Sequence, residues 1–241
     1  MFEVHSSTTR IGTAANLAEL IYHATVRQLR KSHGNALIGL LNNILQSMLF
    51  VLFFLAMFEI LGMKGSAVRG DFVLFIMSGV FLFFTHTKAM GAVVGAENAA
   101  SPMMQHAPMN TVVSITSAVL ASLYIQVLSA VVILSLYYTI FTPFVIDNWI
   151  GTIGMFLLAW LSGVGVGMVF FAIKPWFPGF IGIASMVYAR ANMIASGKMF
   201  LANTLPPKML SLFDWNPLFH CIDQARGFIF INYHPHNSSI T

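Results

Sequence analysis

The chain has 241 residues, of which 57% are hydrophobic and 8% charged, with a formal net charge of +4 and a mean hydropathy of +0.78. A soluble domain carries about 25% charged residues and a disordered one few apolar residues, so both classes are excluded. The 12 Lys and Arg are scattered rather than gathered on one face, and Cys221 is the single cysteine, so neither a nucleic-acid footprint nor a disulfide or cysteine metal site is expected.

What remains is an all-α integral membrane protein. Residues 1–35 form an N-terminal segment and 36–241 a transmembrane domain. Residues 13–31 read as an amphipathic helix. Leu17, Leu20, Ile21, Ala24 and Leu29 fall on one side, and Glu19, His23, Arg27, Arg30 and Lys31 dominate the rest. The segment is too polar to span and suits the membrane interface; a surface helix packed on a soluble domain is the alternative. No signal-peptide core precedes it.

Crossing a bilayer as helix takes about 20 mostly apolar residues, and five stretches qualify: 36–61, 72–94, 112–141, 149–173 and 180–201. The first carries Asn42, Asn43 and Gln46 near its start. The second is interrupted late by Thr85-His86-Thr87-Lys88, and the fifth carries Arg190 and Asn192. These runs are continuous rather than alternating, which argues against a β-barrel. The basic flank Arg27, Arg30 and Lys31 before the first span predicts a cytoplasmic N-terminus.

Two connections stand out. Residues 95–110 are the longest polar link on the predicted cytoplasmic side and allow a short helix. Residues 202–231 are amphipathic but broken by Pro206, Pro207 and Pro217. Broken helices at membrane depth need protein or a water-filled cavity around them, so a pair of half-helices dipping in from outside is expected.

No phosphate-cradling G-x-x-x-x-G-K-[ST] pattern occurs, and no HExxH or Ser-His-Asp arrangement. Gly163/Gly167 and Gly91/Gly95 read as GxxxG packing pairs. His234 and His236 read as surface loop. Arg190, deep in a span, is either a structural cation or part of a substrate path. Trp149, Tyr137, Tyr138 and Trp176 read as interfacial belts. Phe72, Phe75, Phe81, Phe83 and Phe84 crowd the second span, where they face lipid or offer a stacking surface for sugar rings. Asp223 and Arg226 are spaced to share a helical face.

The run Glu97-Asn98 to His106-Ala107-Pro108, then Ser196-Gly197, Leu205-Pro206, Trp215-Asn216-Pro217, His220, Ile222-Asp223 and Arg226 resembles ABC type-2 transporter permeases, in the branch exporting capsular polysaccharide, O-antigen or polyol phosphate. The resemblance implies a homodimer in the bacterial inner membrane, each copy docking an ATPase subunit that binds the ATP and Mg. It implies a coupling helix over 97–108 with Glu97, Asn98, Met103, Met104, His106 and Pro108. Outer re-entrant helices would then carry Pro206, Pro207, Trp215, Asn216, Pro217, Asp223 and Arg226. Arg190, Phe75 and Phe83 would border the path of a lipid-linked polymer. A periplasmic bridge and an outer-membrane channel would complete the route. The family has six spans, whereas five pass here, so the ending reads like the loop before a sixth. Small-molecule efflux on the same architecture is the alternative function. A non-transporting scaffold and an intramembrane enzyme are weaker readings, since no cofactor site or catalytic pair is visible.

Overall fold

The computed structural model describes residues 10–31, 36–60, 62, 70–97, 110–141 and 143–236. All regular structure among them is helical. In chain order it is α1 (Arg10–Lys31), α2 (Ala36–Ile60), α3 (Phe72–Val94), α4 (Thr111–Ile140), α5 (Trp149–Ile173), α6 (Pro178–Ala195), a 3₁₀ turn (Ala202–Thr204), α7 (Pro207–Phe213) and α8 (Pro217–Ile229). Side chains capable of capping open most of the longer helices. Asp71 accepts from the amides of Val73 and Leu74, Asn148 from Gly151, and Asn216 from Leu218. Asn110 accepts from Val112.

Helices α2 to α5 are long and apolar enough to cross a membrane. At 1.5 Å per residue they reach roughly 35–45 Å, against a hydrocarbon core of about 30 Å. The chain is therefore an all-α integral membrane protein. Helix α6 is shorter, at 18 residues, and does not meet the same length-and-apolarity standard because Arg190 and Asn192 dilute it. The expected fifth span ran to Leu201, but α6 ends at Ala195. Gly197 adopts a left-handed φ of 72°, which ends the helix, and the carbonyls of residues 197, 198 and 200 accept from Arg226.

Helix α3 is the axis of the bundle. It is buried along most of its length, with α5, α4, α2 and α8 packed around it. The lipid-facing expectation for its aromatics is overturned: Phe75, Phe81, Phe83 and Phe84 are all buried in the core. The apolar surface instead belongs to α2, α4, α5 and α6, where residues such as Leu41, Leu49, Leu52, Val131, Leu161 and Ile183 are exposed. On α2 the buried stripe Asn43, Ser47, Val51, Phe54 and Phe58 follows helical spacing, leaving the opposite face to the bilayer.

Glycines set how closely α5 approaches α3. A Cβ on Gly163 would lie 2.2 Å from the His86 carbonyl oxygen, and one on Gly167 2.9 Å from that of Met90. That pair packs as expected. Gly91 and Gly95 do not: Gly91 has nothing within 4 Å, and Gly95 meets only its own helix. Trp149, Tyr138 and Trp176 are exposed near helix ends, as belt residues are. Tyr137 departs from that reading. It is buried and donates to Asp71 Oδ2 at 2.5 Å, joining α4 to the cap of α3. Helix α1 lies against α4 with Ala24 buried.

Candidate functional site

The polar centre of the molecule forms where the broken segment after α6 enters the bundle. Ser196–Leu201 faces Gly79, where a Cβ would meet Lys198 at 2.9 Å and Arg226 at 3.0 Å. Gly79 is seven residues into α3, about 10 Å below its start. The segment therefore sits inside the helix bundle, not on its end.

Arg226 holds it there. The side chain is 1% exposed. Its Nη1 donates to the carbonyls of Gly197 (2.8 Å) and Phe200 (2.7 Å), and its Nη2 to Lys198 O (2.6 Å). The guanidinium lies 3.9 Å from the Phe75 ring centre. A planar fork with several donors suits this role, since a lysine offers only a point charge. Asp223, one turn earlier, supplies the negative charge that acts on Arg226, and it accepts a short hydrogen bond from Tyr233 Oη.

Lys198 is buried beside it on different terms. Its Nζ lies 3.6 Å from the Phe83 ring centre, 4.5 Å from Phe50 and 5.2 Å from Phe54, with no hydrogen-bond acceptor among the described residues. Three ring faces attract a cation but leave its N–H groups unmatched. The sequence reading missed this cage. The available signal was a lysine just beyond the fifth stretch, facing a phenylalanine-rich second one.

The amides of Asn192 and Asn216 seat α8. Asn216 Nδ2 donates to Asn192 Oδ1 (2.7 Å) and Ala195 O (3.1 Å), while its Oδ1 caps α8. From that depth α8 climbs about 20 Å to the start of α5. There Phe228 O accepts from Asn148 N at 2.8 Å. Pro217 occupies the first turn of α8 and Pro207 that of α7, preceded by Pro206; proline suits positions whose amide has no helical partner. Helix α7 buries none of its residues, and Trp215 between the two helices is 91% exposed.

Arg190 and the phenylalanines do not converge. Arg190 is exposed on the face of α6 opposite buried Asn192. Phe75 and Phe83 lie beneath Arg226 and Lys198 respectively. His86, fully buried, contacts Ser162 Oγ through Nδ1 (2.9 Å) and Tyr188 Oη through Nε2 (3.0 Å). The first distance would suit a nucleophile and its base. With no exposure and both nitrogens occupied, the trio instead ties α3, α5 and α6 together.

At the opposite end of the bundle, Lys174 Nζ donates to Val94 O (2.6 Å) and Glu97 N to Ser114 Oγ (3.1 Å). Both contacts anchor the start of the 97–108 segment. Asn98, Met103, Met104, His106 and Pro108 lie outside the described residues. No group of three His, Cys, Asp or Glu capable of holding a metal occurs among the described residues. Among the cavities that flank the bundle, two bear on a small-molecule reading. One of about 540 Å³ is lined by Asp71, Tyr137, Phe144 and Phe230. The other, of about 360 Å³, is apolar and lies between α2, α3 and α4, lined by Met48, Val51, Met77 and Ile133.

No protein-family model matches the chain. Among curated proteins it is similar to the polysialic acid transport protein KpsM of Escherichia coli, at 23% identity over 208 residues, covering 86% of this chain and 80% of the relative. A second Escherichia coli polysialic acid transport protein KpsM matches at 23% over 210 residues, with the same two shares. The likeness thus runs through most of both chains.

Proposed function

We propose that the chain is the membrane-spanning permease subunit of an ATP-driven exporter of polysaccharide, with ATP and Mg bound and hydrolysed by a separate subunit. The observation that carries this reading is the likeness to polysialic acid transport proteins over 86% of the chain. The physical chemistry agrees with it. The sequence has no nucleotide motif, so an energy source would act through contact with a partner. A partner biases an equilibrium only by interacting differently with its two states.

The segment 97–108 is the lever in this account. With the N-terminus cytoplasmic, as the basic flank before α2 implies, it meets the ATPase. Its anchors at Glu97–Ser114 and Lys174–Val94 would pass motion to α3, α4 and α5. Helices α7 and α8 form the outer re-entrant pair, with Pro206, Pro207, Trp215, Asn216, Pro217, Asp223 and Arg226 shaping the gate. Two copies enclose the path, with Arg190 on its border. The exporter belongs in the inner membrane of a bacterium, where capsule biogenesis would add periplasmic and outer-membrane partners.

Small-molecule efflux is the second reading. It draws on the apolar cavity of about 360 Å³ between α2, α3 and α4, within the size range of drug-like sites. One experiment separates the two. The chain is co-expressed with its ATPase subunit, purified and reconstituted in vesicles. The exporter reading expects co-purification and ATP hydrolysis stimulated by glycan, with Pro108→Ala or Met103→Glu retaining hydrolysis but losing that stimulation. Stimulation by small apolar compounds and not by glycan would favour efflux. Normal stimulation in both variants would remove the lever from 97–108.

A further inference from the structure

The polar interruptions of the first and second spans, which the export reading leaves unused, meet in space. Asn42, Asn43 and Gln46 of α2, Thr87 and Lys88 of α3, and Ser122 and Gln126 of α4 face a cavity of about 350 Å³. Its back wall is built. Gln126 Nε2 donates to Asn43 Oδ1 (3.2 Å), and Asn43 Nδ2 donates to Ser129 Oγ (2.9 Å), all three residues being buried. Its mouth is open, with Asn42, Gln46 and Gly91 exposed.

Position gives the cleft its meaning. Asn42 lies six residues inside the start of α2, and Lys88 six residues before the end of α3. Both are therefore about 9 Å in from the same end of the bundle. Polar and charged groups are costly at such depth and mark pathways or ligand sites. Lys88 has three N–H donors; one goes to Gln46 Oε1 at 2.8 Å. Among the described residues, no acidic one lines the cavity. The cleft thus offers a cation and the exposed Gln46 amide to whatever reaches it from the adjoining leaflet, and no carboxylate among the described residues to repel an anion. Basic pockets between membrane helices accept anionic head groups on these terms.

We propose that this cleft binds the phosphate of an anionic lipid, with Lys88 as its counter-charge and the Gln46 amide as a donor beside it. The phosphate could belong to a bilayer phospholipid or to a polyprenyl phosphate carrying a glycan. The chemistry is shared, and the site does not depend on the export reading.

The test is native mass spectrometry of the purified full chain titrated with phosphatidylglycerol, polyprenyl phosphate or phosphatidylcholine. Retention of the first or second, well above phosphatidylcholine, is expected. Competition between the two anionic lipids identifies the source. Lys88→Gln should lower retention by about fivefold, whereas Lys88→Arg should keep it. Gly91→Leu, at a position with nothing within 4 Å, should block the mouth without disturbing the helix. Circular dichroism checks that each variant is folded. Equal retention of all three lipids, or unchanged retention in folded Lys88→Gln and Gly91→Leu, would overturn the site. Neither cargo nor ATPase enters the assay, so its failure would leave the export reading standing.

Discussion

Helices α6 and α8 each carry one arginine, and the molecule treats the two in opposite ways. Arg190 lies in the middle of an apolar stretch and is exposed; Arg226 lies in a mixed, proline-broken stretch and is 1% exposed, bonded to three carbonyls. Apolar neighbours along the chain therefore do not indicate depth. The face a residue presents does, together with the backbone groups that need it. Residues 197–200 leave their helix and must find donors, and α8 brings one side chain that satisfies three of them. Arg190 has no such task on its face of α6.

Sites turned inward should thus be sensitive and sites turned outward tolerant. The largest effect is expected at Arg226. Arg226→Met removes the side-chain donor to three carbonyls and the cation that faces the Asp223 charge, and breaking a buried charged arrangement costs about 3–5 kcal/mol. Thermal unfolding in detergent should show that loss, with Arg226→Lys in between. A melt equal to the wild type would break the contrast between α6 and α8.

Glycines extend the same contrast to packing. Gly163→Ala drives a Cβ to within 2.2 Å of the His86 carbonyl, and overpacking of this kind costs about 1–3 kcal/mol. Gly154→Ala on the same helix meets nothing within 4 Å and should stabilise by about 0.5–1 kcal/mol. If the two variants melt together, α5 does not approach α3 as closely as described.

Lys198 sharpens the comparison because it is buried without an acceptor. Lys198→Met keeps the packing of the stem against Phe50, Phe54 and Phe83 while removing an unmatched ammonium. Replacing buried charge by hydrophobic volume is often neutral or stabilising, so the melt should hold or rise by about 1 kcal/mol. A fall as large as that of Arg226→Met would mean that the ring contacts outweigh desolvation. The smallest stability effect belongs to Arg190→Gln, within about 0.5 kcal/mol as at most surface positions. Export by that variant should nevertheless fall, because the proposed path runs along this face.

The sequence disclosed what depends on runs and caps. Four long apolar helices, the proline-broken stretch around Pro206, Pro207 and Pro217, and the Gly163/Gly167 contact were legible because length, proline and small-residue spacing are local properties. Rotation about each helix axis was not. The second span reads as apolar as far as Phe84, and no periodicity told that Phe75 and Phe83 turn inward beneath two cations. Tyr137 resembles a belt residue until Asp71, 66 positions away, is brought against it. The end of α6 was misread because its stop signal, Gly197, acts together with Arg226, 29 residues further on. Long-range pairs of this kind leave no trace in composition or spacing.

The most direct test of the central claim, polysaccharide export, is to delete the gene in its own host and locate the cell's long-chain glycan. The account predicts polymer trapped in the cytoplasm and none at the surface, with export restored by the wild-type chain. Normal surface glycan in the deletion strain, especially alongside new sensitivity to a small toxic compound, would contradict it.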